Sequence, residues 1–448
     1  MLIITAFVAS NYIGAQEVVD AEMMFKALTN KFEKSNQDIQ HPKKGISPST
    51  WIKRGEMLVD INNNDQEFLG FGVGKENVLL FYKNPEEEKT GELNGKPVNI
   101  MVYKRADVYI SSENTVVDWK IKEMVTEDPL RKALEAYKKA IELDESGKTA
   151  EKIVDDLEKL RLSCEKEGGI SYMRKEYENS MEFFDLAVQV ADLKVGETAG
   201  ADTSNIYNAG LAASNAGEYK MAIEFFNRAK ELNYGDENIY VLLKNAYAQS
   251  NDSAKILPLL QEGFKNYPES NEIIVELVNY YLSKGASQDA LEYLKLAKET
   301  DPTNATYYFA EGTLYDKMGE IEKTIEAYNK AIELNPGWID PYYNMGVIYY
   351  NSAVEIFNQA SELPQSKQKE YDGLMEKGND ELEKSIPYME KALELIEGVF
   401  MENPSDANVI TTYKGTLDTL KTIYYRLRNR NASYQLKHDE IAAKLESL

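Results

Sequence analysis

The stretch Gly70-Phe71-Gly72-Val73-Gly74-Lys75 is spaced like a loop that cradles phosphate, where glycines bring backbone amides close to an anion and a lysine adds charge. Such a loop needs glycine where Leu69 stands and a hydroxyl where Glu76 stands, and a glutamate there repels phosphate. The stretch is expected to be a turn. Asp60, Asn62 and Asn64 open like a calcium loop, but Asp65 stands in place of the turn glycine and Phe71 in place of the closing glutamate. Carboxylates adjoin at Asp155-Asp156 and Glu86-Glu87-Glu88, yet acids on helices are ordinarily solvated faces, and nothing marks a pair for acid–base work. Cys164 is the only cysteine, and His41 and His438 are the only histidines. A zinc cluster, an internal disulfide and a histidine-centred relay each need more, so no catalytic residue, metal ligand or cofactor is assigned.

The charge balance narrows the partners. Across 448 residues, 75 acids oppose 51 bases for a formal net charge of -24, which repels nucleic acid and an anionic membrane surface alike. Residues 1–16 hold a short apolar run, Ile3 to Ala9, that ends in small residues before a polar chain. This matches the later parts of a secretory signal cleaved near Ala15 or Gln16, although no Lys or Arg precedes Lys26. The alternative is an N-terminal helix packed on the first repeat. No later stretch is long and apolar enough to span a bilayer.

The elements that carry these residues follow from internal repetition. Segments beginning at Thr203, Glu237, Asn271, Ala305 and Ile339 share a 34-residue period. The eighth place holds Gly210, Gly312 and Gly346, with Lys244 and Val278 as departures. The eleventh holds Ala213, Tyr247, Tyr281, Tyr315 and Tyr349; the twenty-seventh holds Ala229, Gly263, Ala297 and Ala331. Pro268, Pro302 and Pro336 recur at the handover between segments. Small residues let paired helices approach, aromatics fill the space between neighbours, and proline stops the second helix.

By these residues the chain resembles the tetratricopeptide-repeat family, most closely from Tyr308 to Pro336, with Glu311 departing from the family's usual leucine. The resemblance implies an all-α solenoid of helix-turn-helix units wound into a right-handed superhelix. An acidic, signal-bearing chain of this kind is similar to exported tetratricopeptide-repeat proteins of Gram-negative, Bacteroidota-like bacteria.

The expected organisation is a leader over 1–16, N-terminal helices and the first helix of a unit over 17–63, and a small β-rich insertion over 64–126. In the insertion Val98, Ile100 and Val102 alternate with polar residues, and Asn94-Gly95 is a hairpin turn. Repeat units follow over 127–202, four regular units over 203–338, a unit prolonged into a helical hairpin over 339–404, and capping helices over 405–448.

In the family the inner groove is lined by the first helix of each unit. Carried over, its fifth place gives Tyr207, Val241, Val275, Phe309 and Tyr343; its ninth gives Leu211, Asn245, Asn279, Thr313 and Val347; its twelfth includes Leu282 and Tyr350. The basic residues that clamp a chaperone's terminal carboxylate in some members are absent from this set. An apolar trough with two asparagines suits the backbone of an extended peptide, so the expected function is a protein-binding scaffold in the bacterial envelope. An enzyme housed in the β-rich insertion, or a cytoplasmic adaptor, remains the alternative.

The leader yields the first test. N-terminal sequencing of protein from cells expressing the whole gene is expected to find a chain starting near Gln16. An intact Met1 in the cytoplasmic fraction would refute export.

Overall fold

The structure, a computed structural model, describes residues 21–65, 69–193 and 200–448. The expected leader lies outside them. The chain divides into two compact units, Met1–Asp252 and Ser253–Leu448.

The first unit opens with α1 (Ala21–Gln40) packed on α2 (Pro48–Asp65), where Arg54 donates 3.0 Å hydrogen bonds to Ser35 and Asn36. A short helix α3 (Lys75–Tyr82) and four strands follow: β1 (Glu87–Leu93), β2 (Lys96–Val102), β3 (Ala106–Ile110) and β4 (Val116–Ile121). They form one antiparallel sheet in the order β1-β2-β3-β4. Asn94 and Gly95 turn the first hairpin with φ of 53° and 76°, the left-handed conformation such a turn requires.

The sheet differs from expectation in two respects. Met101 of β2, in register with Val108, is buried, while on the opposite face Val98 is buried and Ile100 and Val102 are half-buried. The closed face is the one that meets Val78 of α3 and Ile170. Strand β1 is mostly charged and largely exposed; it gains its place from its ladder with β2, and its charges guard an open edge.

Helices then run to the end of the unit: α4 (Pro129–Glu142), the single turn α5 (Thr149–Lys152), α6 (Val154–Met173), α7 (Tyr177–Ala191), α8 (Thr203–Ala216), α9 (Tyr219–Glu231) and α10 (Asn238–Gln249). The second unit contains α11 (Ile256–Asn266), α12 (Asn271–Ser283), α13 (Ser287–Thr300), α14 (Ala305–Lys317), α15 (Ile321–Leu334), α16 (Ile339–Ser361), α17 (Gln368–Glu402), α18 (Ala407–Leu427) and α19 (Ala432–Glu446). This is an all-α fold of tetratricopeptide type with a β insertion. The division at Asp252 falls between α10 and α11, the two helices that the 34-residue frame pairs.

Local chemistry sets the helix ends. Asp202, Ser270 and Asn304 accept backbone N–H bonds at the starts of α8, α12 and α14, which satisfies donors that have no partner within the helix. Helices α11, α13 and α15 each stop two residues before Pro268, Pro302 and Pro336.

Within each hairpin one contact recurs. A methyl group on Gly168, Gly210 or Gly312 would lie 2.9, 2.6 or 2.5 Å from the ring of Phe184, Phe226 or Tyr328, the residue sixteen places on. Gly55 meets Tyr137 and Gly346 meets Met389 in the same way, although an insertion separates each pair. Hence α2 pairs with α4 across the whole β insertion, and α16 with α17 across a hairpin broken at Pro364. In the unit that has Val278 in place of glycine, the residue sixteen places on is Leu294, fully buried and without a ring.

Between hairpins, tyrosines of the eleventh place serve as polar-edged spacers. The amide of Asn227 on α9 donates to the Tyr247 hydroxyl on α10 (3.3 Å), and Gln261 on α11 donates to Tyr281 (3.5 Å) and Tyr293 (2.9 Å). Burial pushes the Tyr281 phenol up to about 12.

The glycine contact can be tested by crowding it. Gly312→Ala is expected to cost about 1 to 3 kcal/mol, read as a lower denaturation midpoint, because Tyr328 is fully buried and cannot swing away. Adding Tyr328→Leu, which copies the Val278 and Leu294 arrangement, is expected to recover part of that loss. A midpoint unchanged by Gly312→Ala refutes the contact.

Candidate functional site

On α12, Val275, Asn279 and Leu282 stand four and then three residues apart and share one helix face, while Ile274, Leu277 and Val278 are buried. The same spacing aligns Phe309 with Thr313 on α14, and Tyr343 with Val347 and Tyr350 on α16. In the first unit, Tyr207 and Leu211 share a face of α8, and Val241 and Asn245 a face of α10. None of these twelve is fully buried. Asn245 and Asn279 are exposed; the other ten are half-buried.

The half-buried members differ in what holds them. Phe309 lies against Tyr328 (5.5 Å between ring centres) and Trp338 (4.6 Å), and Thr313 donates to the Phe309 carbonyl at 3.0 Å. Tyr343, Val347 and Tyr350 pack against the cluster of α17 and α18 that contains Leu382, Met389, Leu417 and Tyr424. Tyr207 meets Phe226 and Tyr234 edge to face, and burial raises its phenol. These rings therefore support the stack and keep an edge in solvent. The asparagines are anchored less: the Asn245 carbonyl accepts from Lys244 at 3.3 Å.

Two features escaped the sequence reading. Trp338, whose indole donates to Asp340 at 2.9 Å, borders an open depression of about 440 Å³ lined also by Thr303, Asn304, Thr306 and Asn335. The lone signal for it was a tryptophan directly after Pro336-Gly337 in a chain with three tryptophans. The departure at Glu311 is answered by Lys298, 2.7 Å away, whose ammonium also lies 5.1 Å from the Tyr308 ring centre. The family's apolar contact is replaced there by a half-buried ion pair.

The motifs that suggested chemistry are engaged in structure. Lys75 pairs with Glu88 at 3.1 Å, and the amides of Gly72, Val73 and Lys75 donate to the carbonyls of Val116, Gly70 and Asn114. Asp60, Asn62 and Asn64 lie along α2 and cannot wrap an ion as a loop; Asn62 donates to Glu167 at 3.0 Å. Cys164 is fully buried, and burial pushes its thiol up to about 12, away from the reactive thiolate. The β insertion is clamped to α6 by Arg174, which bonds the Asp118 carboxylate and the Trp119 carbonyl at 2.8 Å and lies 4.5 Å over the Trp119 ring. Among the described residues no helix is long and apolar enough to cross a membrane.

Two stretches of the chain match known families. Residues 312–352 match the family described as TPR repeat, and residues 204–236 that described as Tetratricopeptide repeat. The chain is 31% identical over 105 residues to the Photosystem I assembly protein Ycf3 of Acaryochloris marina, covering 22% of this chain and 60% of that protein. The chain spans between 11% and 60% of the length of the curated relatives it matches. Among solved structures, it is similar to a TPR repeats protein from Bacteroides fragilis (22% identity, 57% of this chain and 97% of that one, TM-score 0.28). It is also similar to the C-terminal part of a TPR repeat-containing protein from Cytophaga hutchinsonii (14% identity, 63% and 93%, TM-score 0.42).

Exposure separates anchoring from contact roles on this face. Asn279→Ala is expected to shift stability by less than about 0.5 kcal/mol, as surface changes do, whereas Phe309→Ala is expected to cost about 2 kcal/mol through lost burial. Denaturant titration of both variants decides; equal losses would refute the assignment.

Proposed function

We propose, from the premise that this chain is built of tetratricopeptide repeats, that it is a non-catalytic scaffold holding an extended segment of a partner protein along the first helices of its hairpins. The observation that carries the reading is the face of α12 and α14. There the exposed Asn279 shares a face of α12 with Val275 and Leu282, and Phe309 on α14 is likewise half-covered, so that these side chains retain apolar surface to offer. An asparagine amide both donates and accepts, as a peptide backbone does, so it holds a strand without reading its side chains. Absence of catalysis belongs to the same proposal. It is supported by the placement of Lys75, Asp60 and Cys164, each tied into an ion pair, a helix or the core.

The partner is a protein rather than a nucleic acid, since a net charge of -24 opposes a phosphate backbone. We place the scaffold in the bacterial envelope on the strength of the apolar N-terminal run, with the cytoplasm as the alternative compartment.

Affinity capture from native envelopes supplies the test ligand. Titrated against the captured partner, Asn279→Ala is expected to weaken binding about five- to tenfold, consistent with roughly 1 kcal/mol of net hydrogen bonding. Because no basic cluster lines the face, affinity is expected to change little between low and high salt. A folded Asn279→Ala variant that binds as wild type does would sink the proposal.

A further inference from the structure

Helix α17 carries Glu376, Glu383, Glu390 and Glu397 at intervals of seven residues, and the chain from α18 into α19 carries Arg430, Lys437 and Lys444 at the same interval. The two series meet in register. Arg430 pairs with Glu376 (2.6 Å), Asp380 (2.9 Å) and Glu383 (3.6 Å), Lys437 pairs with Glu390, and Lys444 pairs with Glu397 at 2.7 Å. Apolar burial is smaller on α19 than on its neighbour: Ile441 is buried and Tyr434 and Leu445 are partly buried against the core, whereas α18 has seven buried residues. The pairs are partly exposed, and such pairs hold weakly and are screened by salt. The acids beneath them are also held by tyrosines: the hydroxyl of Tyr424 donates to Glu390 at 2.6 Å and that of Tyr413 to Glu397 at 3.0 Å. Carboxylates so fixed keep their positions whether or not a lysine is present.

We infer that the face of α17 and α18 beneath α19 is a docking seat for an amphipathic helix of a partner protein bearing cations at seven-residue intervals, and that α19 occupies it in cis until displaced. The seat is separate from the peptide-holding face proposed above. Charge complementarity at three positions seven residues apart specifies the occupant, and α19 shows how such a helix lies. A weakly held element of this kind opens locally while its neighbours stay folded.

The test uses the full chain and a labelled peptide with the sequence of residues 429–448. In the wild type, hydrogen exchange of α19 amides is expected to run at least about tenfold faster than that of α18, with the ratio rising as sodium chloride goes from about 0.05 to about 0.5 M. In the Lys437→Glu, Lys444→Glu chain the cis helix is repelled, and the peptide is expected to bind at least about tenfold tighter than to wild type at low salt. That gain should vanish at high salt and for a peptide with glutamine in place of both lysines. Equal, salt-independent exchange of α18 and α19 in the wild type overturns the inference, whatever the variant does. So does a variant with protected α18 amides that fails to bind the peptide. Dimers of unmodified chain at low salt would assign the seat to a second copy and overturn the partner reading.

Discussion

In five of the hairpins the helices approach closely because a glycine on the first helix, Gly55, Gly168, Gly210, Gly312 or Gly346, lies flat against a large side chain on the second. A single added carbon at Gly55, Gly210 or Gly312 would sit within 2.6 Å of a buried ring. Packed interiors do not absorb such overlaps by small adjustments, so the contact fixes the separation of the two axes. Much else follows from that separation. Ala229, Ala297 and Ala331 are fully buried at a second place where the helices have no room for a branch.

This constraint acts between the two helices and leaves the segment that joins them free. The joining segment is a short turn between α8 and α9, a helix and four strands between α2 and α4, and an outward continuation of both helices between α16 and α17. Closing a longer loop costs only about 0.6 kcal/mol per doubling of its length, so either insertion can be carried if it folds on its own account. The β insertion does so, with a closed face of Met101, Val108, Ile110 and Trp119, and Arg174 ties it back to α6. Additions to a repeat array therefore arise at these turns, where they enlarge the surface without disturbing the stack.

Legibility in the sequence followed the range of the interaction. The glycine, alanine and proline places recur at a fixed period, so the hairpins could be read from local spacing. So could the Asn94-Gly95 turn. Strand β1 could not, because Glu87 to Leu93 has no apolar alternation and exists only through its ladder with β2. On the candidate face, spacing identified which residues share a side of a helix, but not how far neighbours cover them. That Tyr343, Val347 and Tyr350 lean on the cluster of α17 and α18 depends on helices far along the chain. The ladder between Lys444 and Glu397 spans 47 residues. Its seven-residue interval is visible once the two helices are known to lie side by side, and nothing in either helix alone says so.

The acidity of the chain acquires a structural sense from these placements. Acids that face cations within the fold, such as Glu311 beside Lys298 and Asp118 beside Arg174, fix particular helices or strands at modest net gain. The remaining excess of acids, within a formal net charge of -24, stays in solvent, where like charges repel one another. A scaffold of this composition draws specificity from two sources that differ in salt dependence. Apolar edges beside neutral amides, as on α12 and α14, respond weakly to ionic strength, while a row of carboxylates, as on α17, responds strongly. If both proposed faces bind, they answer to ionic strength in opposite degree, and neither borrows a residue from the interior that keeps the helices together.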